Sequence, residues 1–442
     1  MAGIGLGLGV AWMLARGGTT APAAGQIPPA AGLDAPVALD ASGSLGLLPP
    51  SERVTFWEKR VAAGGSHLDL IHLADAYLDR SRASGALDDL DRAAAALDRA
   101  VETAPYPAQV TVRRALVAFA LHDFTGAMER ADGILADTPD DLAALGVAAD
   151  ARLETGDTDG ASQRYQQLAR LAPSPAAWSR LGRLAFLTGD ADGAMRLIAR
   201  AASVSREEGA PDAVAFYQFQ LGDLCRASGQ LVKAETAYAA SLDALPDYVP
   251  AMAGLAAVQE ATGRRGEAIS MLERATARLP QPELIAALGD LYALSRQPAK
   301  AKMQYRLVEG IAQLTAANGS VYDRQLVIFA ADHERDVAAA VKRARAELAV
   351  RGDVYGHDAL AWALYRAGSL DEAAEQSRAA LALGTPDPRI AYHAGLIAVA
   401  RGEGERAVGL LQRAVDGAAM LPPLQVPEAR AALAALRSGV ES

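Results

Sequence analysis

Six histidines, one cysteine and a few glycine-rich stretches are the places where chemistry could reside in this chain of 442 residues. His333-Glu334 begins like a zinc-protease helix, but no histidine follows four residues on, so that motif is incomplete and a solvated helix face is the better reading. His67 and His72, five residues apart near a helix start, are too few to cage a metal. The run Gly402-Glu403-Gly404-Glu405-Arg406-Ala407 mimics a dinucleotide fingerprint, yet it follows a helical pattern rather than a strand. Cys225 falls among packing positions and reads as a buried, inert thiol. Asn318-Gly319-Ser320 has the form of a glycosylation acceptor and reads as a turn. No phosphate loop, serine elbow or catalytic-cysteine signature occurs, and the carboxylates form no recognisable pair for acid–base work. The expectation is a protein without catalysis, metal or small-molecule cofactor.

The composition narrows the alternatives. Apolar residues make up 51% of the chain and aromatic residues only 5%, so a large core is available but few rings fill it. A chain rich in alanine and poor in aromatics suits close-packed helices. The formal charge of −10, from 53 acidic and 43 basic residues, argues against a nucleic-acid surface. A single cysteine excludes an internal disulfide.

The first 18 residues are set apart. MAGIGLGLGVAWMLARGG carries no charge before Arg16, is short for a membrane-spanning helix and lacks a basic leading flank. It leaves three readings: a clipped signal or anchor, a weak anchor over residues 1–16, or a tail. Residues 19–54, rich in Pro, Ala and Gly, read as a linker. A hydrophobic terminus on a spacer points to a membrane-associated or extracytoplasmic protein, with the cytoplasm as the alternative.

Everything after the linker is organised by a repeat. Ala93, Ala127, Ala161, Ala194, Ala234, Ala268, Ala301, Ala339, Ala373 and Ala407 are separated by 34, 34, 33, 40, 34, 33, 38, 34 and 34 residues. Twelve residues earlier a small residue recurs, as at Ala149, Gly182, Gly222 and Gly289, where two helices would pack closely. Five residues earlier glycine recurs, at Gly156, Gly189, Gly229, Gly263, Gly368 and Gly402, where a helix would end in the left-handed conformation. Glu334 stands where unit eight should have that glycine, which puts its turn in doubt. Proline recurs twelve residues after the alanine, as at Pro139, Pro173 and Pro246. Ser174-Pro175 and Ser369-x-x-Glu372 read as helix caps.

This pattern resembles the tetratricopeptide repeat family, best in Trp178, Leu181, Gly182, Ala185, Gly189, Ala194 and Ala201 and in Leu221, Gly222, Gly229, Ala234, Tyr238 and Pro246. The resemblance implies an all-α, right-handed superhelical solenoid of about ten helix-turn-helix units over 55–421, closed by a C-terminal capping helix within 422–442; Thr55–Ala63 would be its N-terminal counterpart. It also implies that the first helix of each unit lines an inner groove. On those helices lie Tyr355, Asp358, Trp362, Tyr365, Arg389 and Tyr392, and, in mid-chain, Phe216, Phe219, Asp223 and Arg226. Rings flanked by charge suit a peptide site, although the same rings could fill gaps between alanine-rich helices. The chain's one asparagine, Asn318, makes a carboxylate clamp of the chaperone-tail type improbable. The expected function is a noncatalytic scaffold holding a protein or peptide, with a membrane tether at its N-terminus as one reading of residues 1–16; an accessory subunit of an enzyme complex is the alternative.

Overall fold

A computed structural model of the chain describes residues 48–84, 88–104, 107–317 and 324–440. The apolar segment 1–16, the linker up to residue 47, Pro105 and the Asn318 sequon lie outside the described residues. Among the described residues every regular element is helical: twenty-two α-helices and one short 3-10 turn, with no strand.

Contacts divide the described residues into two compact units, one up to Ala148 and one from Ala149 on. The first holds α1 (Pro50–Ala62), α2 (His67–Ser84), α3 (Asp88–Val101), α4 (Pro107–Ala120), α5 (Phe124–Asp137) and the start of α6 (Leu142–Glu154). Its core joins Val54 of α1, Leu78 of α2, Leu97 of α3 and Val110 of α4. Helix α1 begins at Pro50, inside the segment read as linker; proline suits the first helical position, where its missing N–H costs nothing. His72 stacks on Trp57 at 4.6 Å, so α1 covers the face that holds it.

The second unit continues as antiparallel pairs: α6 with α7 (Thr158–Leu171), α8 (Pro175–Leu187) with α9 (Ala191–Glu207), α10 (Pro211–Ala227) with α11 (Leu231–Ala244), and α12 (Val249–Ala261) with α13 (Arg265–Arg278). Then come α14 (Pro282–Leu294) with α15 (Pro298–Ala317), α16 (Arg324–Asp332) with α17 (Val337–Leu348), α18 (Val354–Arg366) with α19 (Leu370–Ala380), and α20 (Pro388–Ala400) with α21 (Gly404–Asp416). Helix α22 (Gln425–Val440) ends the series and buries Ala429 and Leu433 against Tyr392, Leu396 and Leu411. The capping helix expected within 422–442 is therefore present.

Each sequence column has a structural counterpart. The column alanines from Ala93 to Ala407 are buried, apart from the half-buried Ala339 of α17. The glycines at 156, 189, 229, 263, 368 and 402 all have positive φ. The turn survives where glycine is missing: His122, Arg296 and Glu334, in the same column, take φ of 63°, 57° and 52°. Unit eight thus keeps the turn that Glu334 put in doubt. Ser174 caps α8 by accepting from Ala177 N–H at 3.3 Å. Ser369 occupies the cap position of α19 but its side chain accepts nothing there, so the expected capping box is not formed.

The second unit winds back on itself. The turns of α6/α7, α8/α9 and α10/α11 press against backbone nearly two hundred residues later. A Cβ on Gly156 would lie 2.4 Å from the Gly352 carbonyl oxygen, and one on Gly229 would lie 3.0 Å from that of Asp416. Thr385 donates to the Leu187 carbonyl at 2.6 Å. The joint also holds a buried ionic cluster. Glu154 accepts from Arg183 and from Arg351, each at 2.5 Å, while Arg324 pairs with Asp353 at 2.9 Å and Glu347 at 2.8 Å. Three arginines and three carboxylates compensate one another, as burial of such charges requires.

Candidate functional site: an inner lumen

Because the coil turns back on itself, the inner surface of the first helices from α12 to α20 bounds a partly open cavity of about 620 Å³. The segment after α21 completes the wall. Met420, Leu421, Pro422 and Pro423 line the cavity, and Arg226 of α10 donates to the Ala419 carbonyl at 3.0 Å, joining the C-terminal segment to α10. Alanines 253, 256, 257, 286 and 287 provide a smooth apolar surface, because small side chains on the inner face leave space that larger ones would fill.

Polar groups stand on this apolar ground. On α14 and α16, Asp290 Oδ1 accepts from the Tyr305 hydroxyl and faces His333 Nε2, both at 2.9 Å. The other imidazole nitrogen, Nδ1, lies 3.0 Å from the Phe329 carbonyl. With acceptors on both sides, His333 is best satisfied as imidazolium. Burial opposes this charge, but the hydrogen bond and charge of Asp290 outweigh it and raise the histidine's pKa. Asp332 Oδ1 accepts from Trp362 Nε1 at 2.7 Å and Gln425 Nε2 at 2.6 Å; burial pushes its pKa up. Asp358 lies 3.0 Å from His393 Nδ1.

Of the ten residues singled out from sequence, four line the cavity: Tyr355, Asp358, Arg389 and Arg226. Arg389 is held by Asp387, with contacts at 3.1 and 2.5 Å, and its guanidinium lies 6.0 Å from the Tyr355 ring centre. Arg226 is buried and donates to the Tyr238 hydroxyl at 3.0 Å and to Asp223 at 2.9 Å. The other six stand behind or beside the wall, Asp223 as the partner of Arg226. Trp362 is fully buried, stacked between His393 at 4.3 Å and Tyr365 at 5.2 Å, with the Arg366 guanidinium 4.4 Å from its ring centre. Tyr392 is buried and donates to Glu428 of α22 at 2.6 Å. Phe216 and Phe219 are buried around α10, beside Tyr217 and Tyr248 respectively. Tyr365 is half-buried on the Trp362 stack. These five rings pack between alanine-rich helices, and Trp362 also fixes Asp332 by its indole hydrogen bond.

Sequence reasoning missed Asp290, Asp332 and His393, and read His333 as part of a solvated helix face, whereas the structure largely buries its side chain against Asp290. A signal existed for Asp290: Asp150, Asp223 and Asp290 each stand eleven residues before a column alanine, and Tyr165, Tyr238 and Tyr305 each stand four after it. The pairs meet at 2.8, 2.5 and 2.9 Å. Each carboxylate also meets a cationic side chain, Arg180, Arg226 or His333.

Three models described as tetratricopeptide repeat match the chain, over residues 173–247, over 118–181 and 226–291, and over 359–420. A comparison with curated proteins finds no match. Solved structures similar to the chain include a tetratricopeptide repeat protein from Parabacteroides merdae, 16% identical, with 55% of this chain and 92% of that one covered and a TM-score of 0.41. PilW, a widely conserved type IV pilus biogenesis factor, is 21% identical over 50% of this chain and 98% of its own, with a TM-score of 0.40. The human IFIT1 dimer with m7Gppp-AAAA is 14% identical over 76% of each chain, with a TM-score of 0.48.

Proposed function

This chain belongs to the tetratricopeptide repeat proteins, and on that footing we propose that it is a noncatalytic scaffold that holds a segment of a protein or peptide partner in its lumen. The observation that carries the reading is the partly open cavity of about 620 Å³ on the inner face of successive first helices. Its size lies within the roughly 300–1,000 Å³ typical of sites that bury most of a ligand, so it suits a few side chains of a partner rather than a folded domain. The negative formal charge and the carboxylates on the wall oppose a phosphate-rich guest, which supports a protein partner over nucleic acid.

The test is to fill the lumen. Ala257 lines the cavity and is only partly buried. Ala257→Trp should abolish partner capture by the intact chain while leaving its helicity and melting temperature near those of the parent. Undiminished capture by that variant would place the binding surface elsewhere. The run over residues 1–16 would tether the scaffold to a membrane and raise its local concentration there. Deleting residues 1–18 should then move the protein from the membrane to the soluble fraction, and unchanged fractionation would dismiss the tether.

A further inference from the structure

The polar groups of the lumen share an imbalance. Four of its five arginines are already engaged: Arg226 by Asp223, Arg265 by Glu260, Arg389 by Asp387, and Arg324 by Glu347 and Asp353, while Arg430 of α22 stands exposed at the C-terminal wall. Two of its carboxylates have capacity to spare. Asp332 receives both hydrogen bonds on Oδ1, from the neutral donors Trp362 and Gln425, and its Oδ2 accepts none from the described residues. Asp290 likewise engages Tyr305 and His333 through Oδ1 alone. An independent sign comes from two buried neutral groups. Tyr355 lines the cavity, is 9% exposed, and its hydroxyl has no hydrogen-bond partner. Gln425, 5% exposed and bonded to Asp332, leaves its carbonyl oxygen without one. Three of these four unmet groups are acceptors and the fourth, a hydroxyl, can accept. Apart from Arg324 Nε, the unmet buried groups on this wall accept or can accept, and buried polar groups are ordinarily paired.

We propose that the lumen recognises a basic side chain of the bound polypeptide. Its ammonium or guanidinium group is received by Asp332 with Asp290 nearby on the wall, and its aliphatic stem lies along the alanines of α12 and α14. A cationic donor supplies both the charge and the hydrogens that this wall lacks, and a long alkyl stem suits an apolar approach. A carboxylate or phosphate would instead meet Asp290, Asp332 and Asp358 and add to the excess of acceptors. The inference rests on the reading of the lumen as a peptide site and specifies what that site selects.

A random peptide library selected on the immobilised full-length protein tests it. The Ala257→Trp protein serves as the blocked control. The expected result is enrichment, absent from the control, of peptides with Lys or Arg at one position flanked by apolar residues. In a synthetic peptide so selected, replacing that residue with norleucine should weaken binding roughly tenfold or more. Asp332→Asn keeps an acceptor for Trp362 and Gln425 while removing the charge, and should abolish the preference for Lys over norleucine. Enriched peptides without a basic position, or an unchanged preference in the Asp332→Asn protein, would overturn the inference and leave the peptide site standing. No enrichment above the control would overturn both.

Discussion

Single residues in this fold are fixed by what their neighbours leave open. The Tyr238 ring occupies the space that Gly222 and Gly254 vacate: a Cβ on either would lie 2.5 or 2.3 Å from it. Its hydroxyl donates to Asp223 and accepts from Arg226, so ring and glycines are chosen together. Tyr238→Phe keeps the ring and removes that link, leaving a buried carboxylate and guanidinium short of a partner. The expected cost is about 1–3 kcal/mol in urea-induced unfolding. The turn at Arg296 argues in the other direction. This exposed residue holds φ of 57° and glycine meets that geometry without strain, so Arg296→Gly should raise stability by roughly 0.5–1 kcal/mol. A loss instead would mean that the side chain supports the turn. Trp362→Ala belongs with the core rather than the binding surface. Removing a fully buried indole should cost about 3–5 kcal/mol, so weakened partner binding in that variant would say little about contact.

Helices were legible in the sequence because their signals are local. A small residue at the crossing, an αL residue at the turn and proline between pairs each act within a few positions, and the alanine column locates the pairs through α20/α21. His122 and Glu334 show the limit of such signals: the turn is imposed by packing of the pair, so it persists where its usual residue is absent. The ionic cluster was not legible, because Glu154 and Arg351 are 197 residues apart and no periodicity links them. It connects α6 and α8 to the α17–α18 junction, and its energetics can be tested. Glu154→Gln would leave Arg183 and Arg351 buried without their shared charge, at an expected cost of about 3–5 kcal/mol. Two groups should give stability a dependence on pH. Burial would raise the pKa of Glu154, but Arg351 and Arg183 hold it well below the ordinary carboxylate range. Its contribution is therefore present above the unfolded pKa and lost as pH falls through the folded value. His333, faced by Asp290 of α14, Tyr305 of α15 and its neighbour Asp332, has a raised pKa. Its contribution is full below the unfolded pKa and lost as pH rises through the folded one. His333→Gln should flatten the alkaline side of the melting-temperature profile, and Glu154→Gln the acid side; unchanged profiles would assign the dependence to other groups.

At the scale of the 149–442 unit, binding surface and stability meet in the C-terminal segment. A solenoid of this kind gains stability mainly from contacts between successive pairs, and each end exposes an apolar face. Here the end is used twice. Helix α22 covers the last pair, while the residues before it cross to the middle of the unit and finish the lumen. The aromatic cluster read from sequence as a binding face became the packing beneath that cover, because nothing local announces that Tyr392 will donate to Glu428 or that Arg226 will reach the Ala419 carbonyl. The lumen should therefore depend on contacts 193 residues apart in sequence. Deleting residues 417–442 would remove the Met420–Pro423 wall and uncover Tyr392, Leu396 and Leu411. Helices α20 and α21 would then lose amide protection because their cap is gone, as would the end of any repeat array. Protection should also fall in α10 and α12, remote in sequence, because they lose the segment that spans them. Arg226→Gln provides the finer comparison, since it removes the cationic reach to Ala419 while leaving α22 in place. Hydrogen exchange on the two proteins separates the effects. Faster exchange in α10 and α12 of both, with α20 and α21 affected only by the deletion, would identify the crossing segment as the clasp of the ring. Exchange confined to α20 and α21 in the deletion protein would mean that α10 and α12 are held by their own neighbours, and that the lumen's last wall rests on the inner surface without securing it.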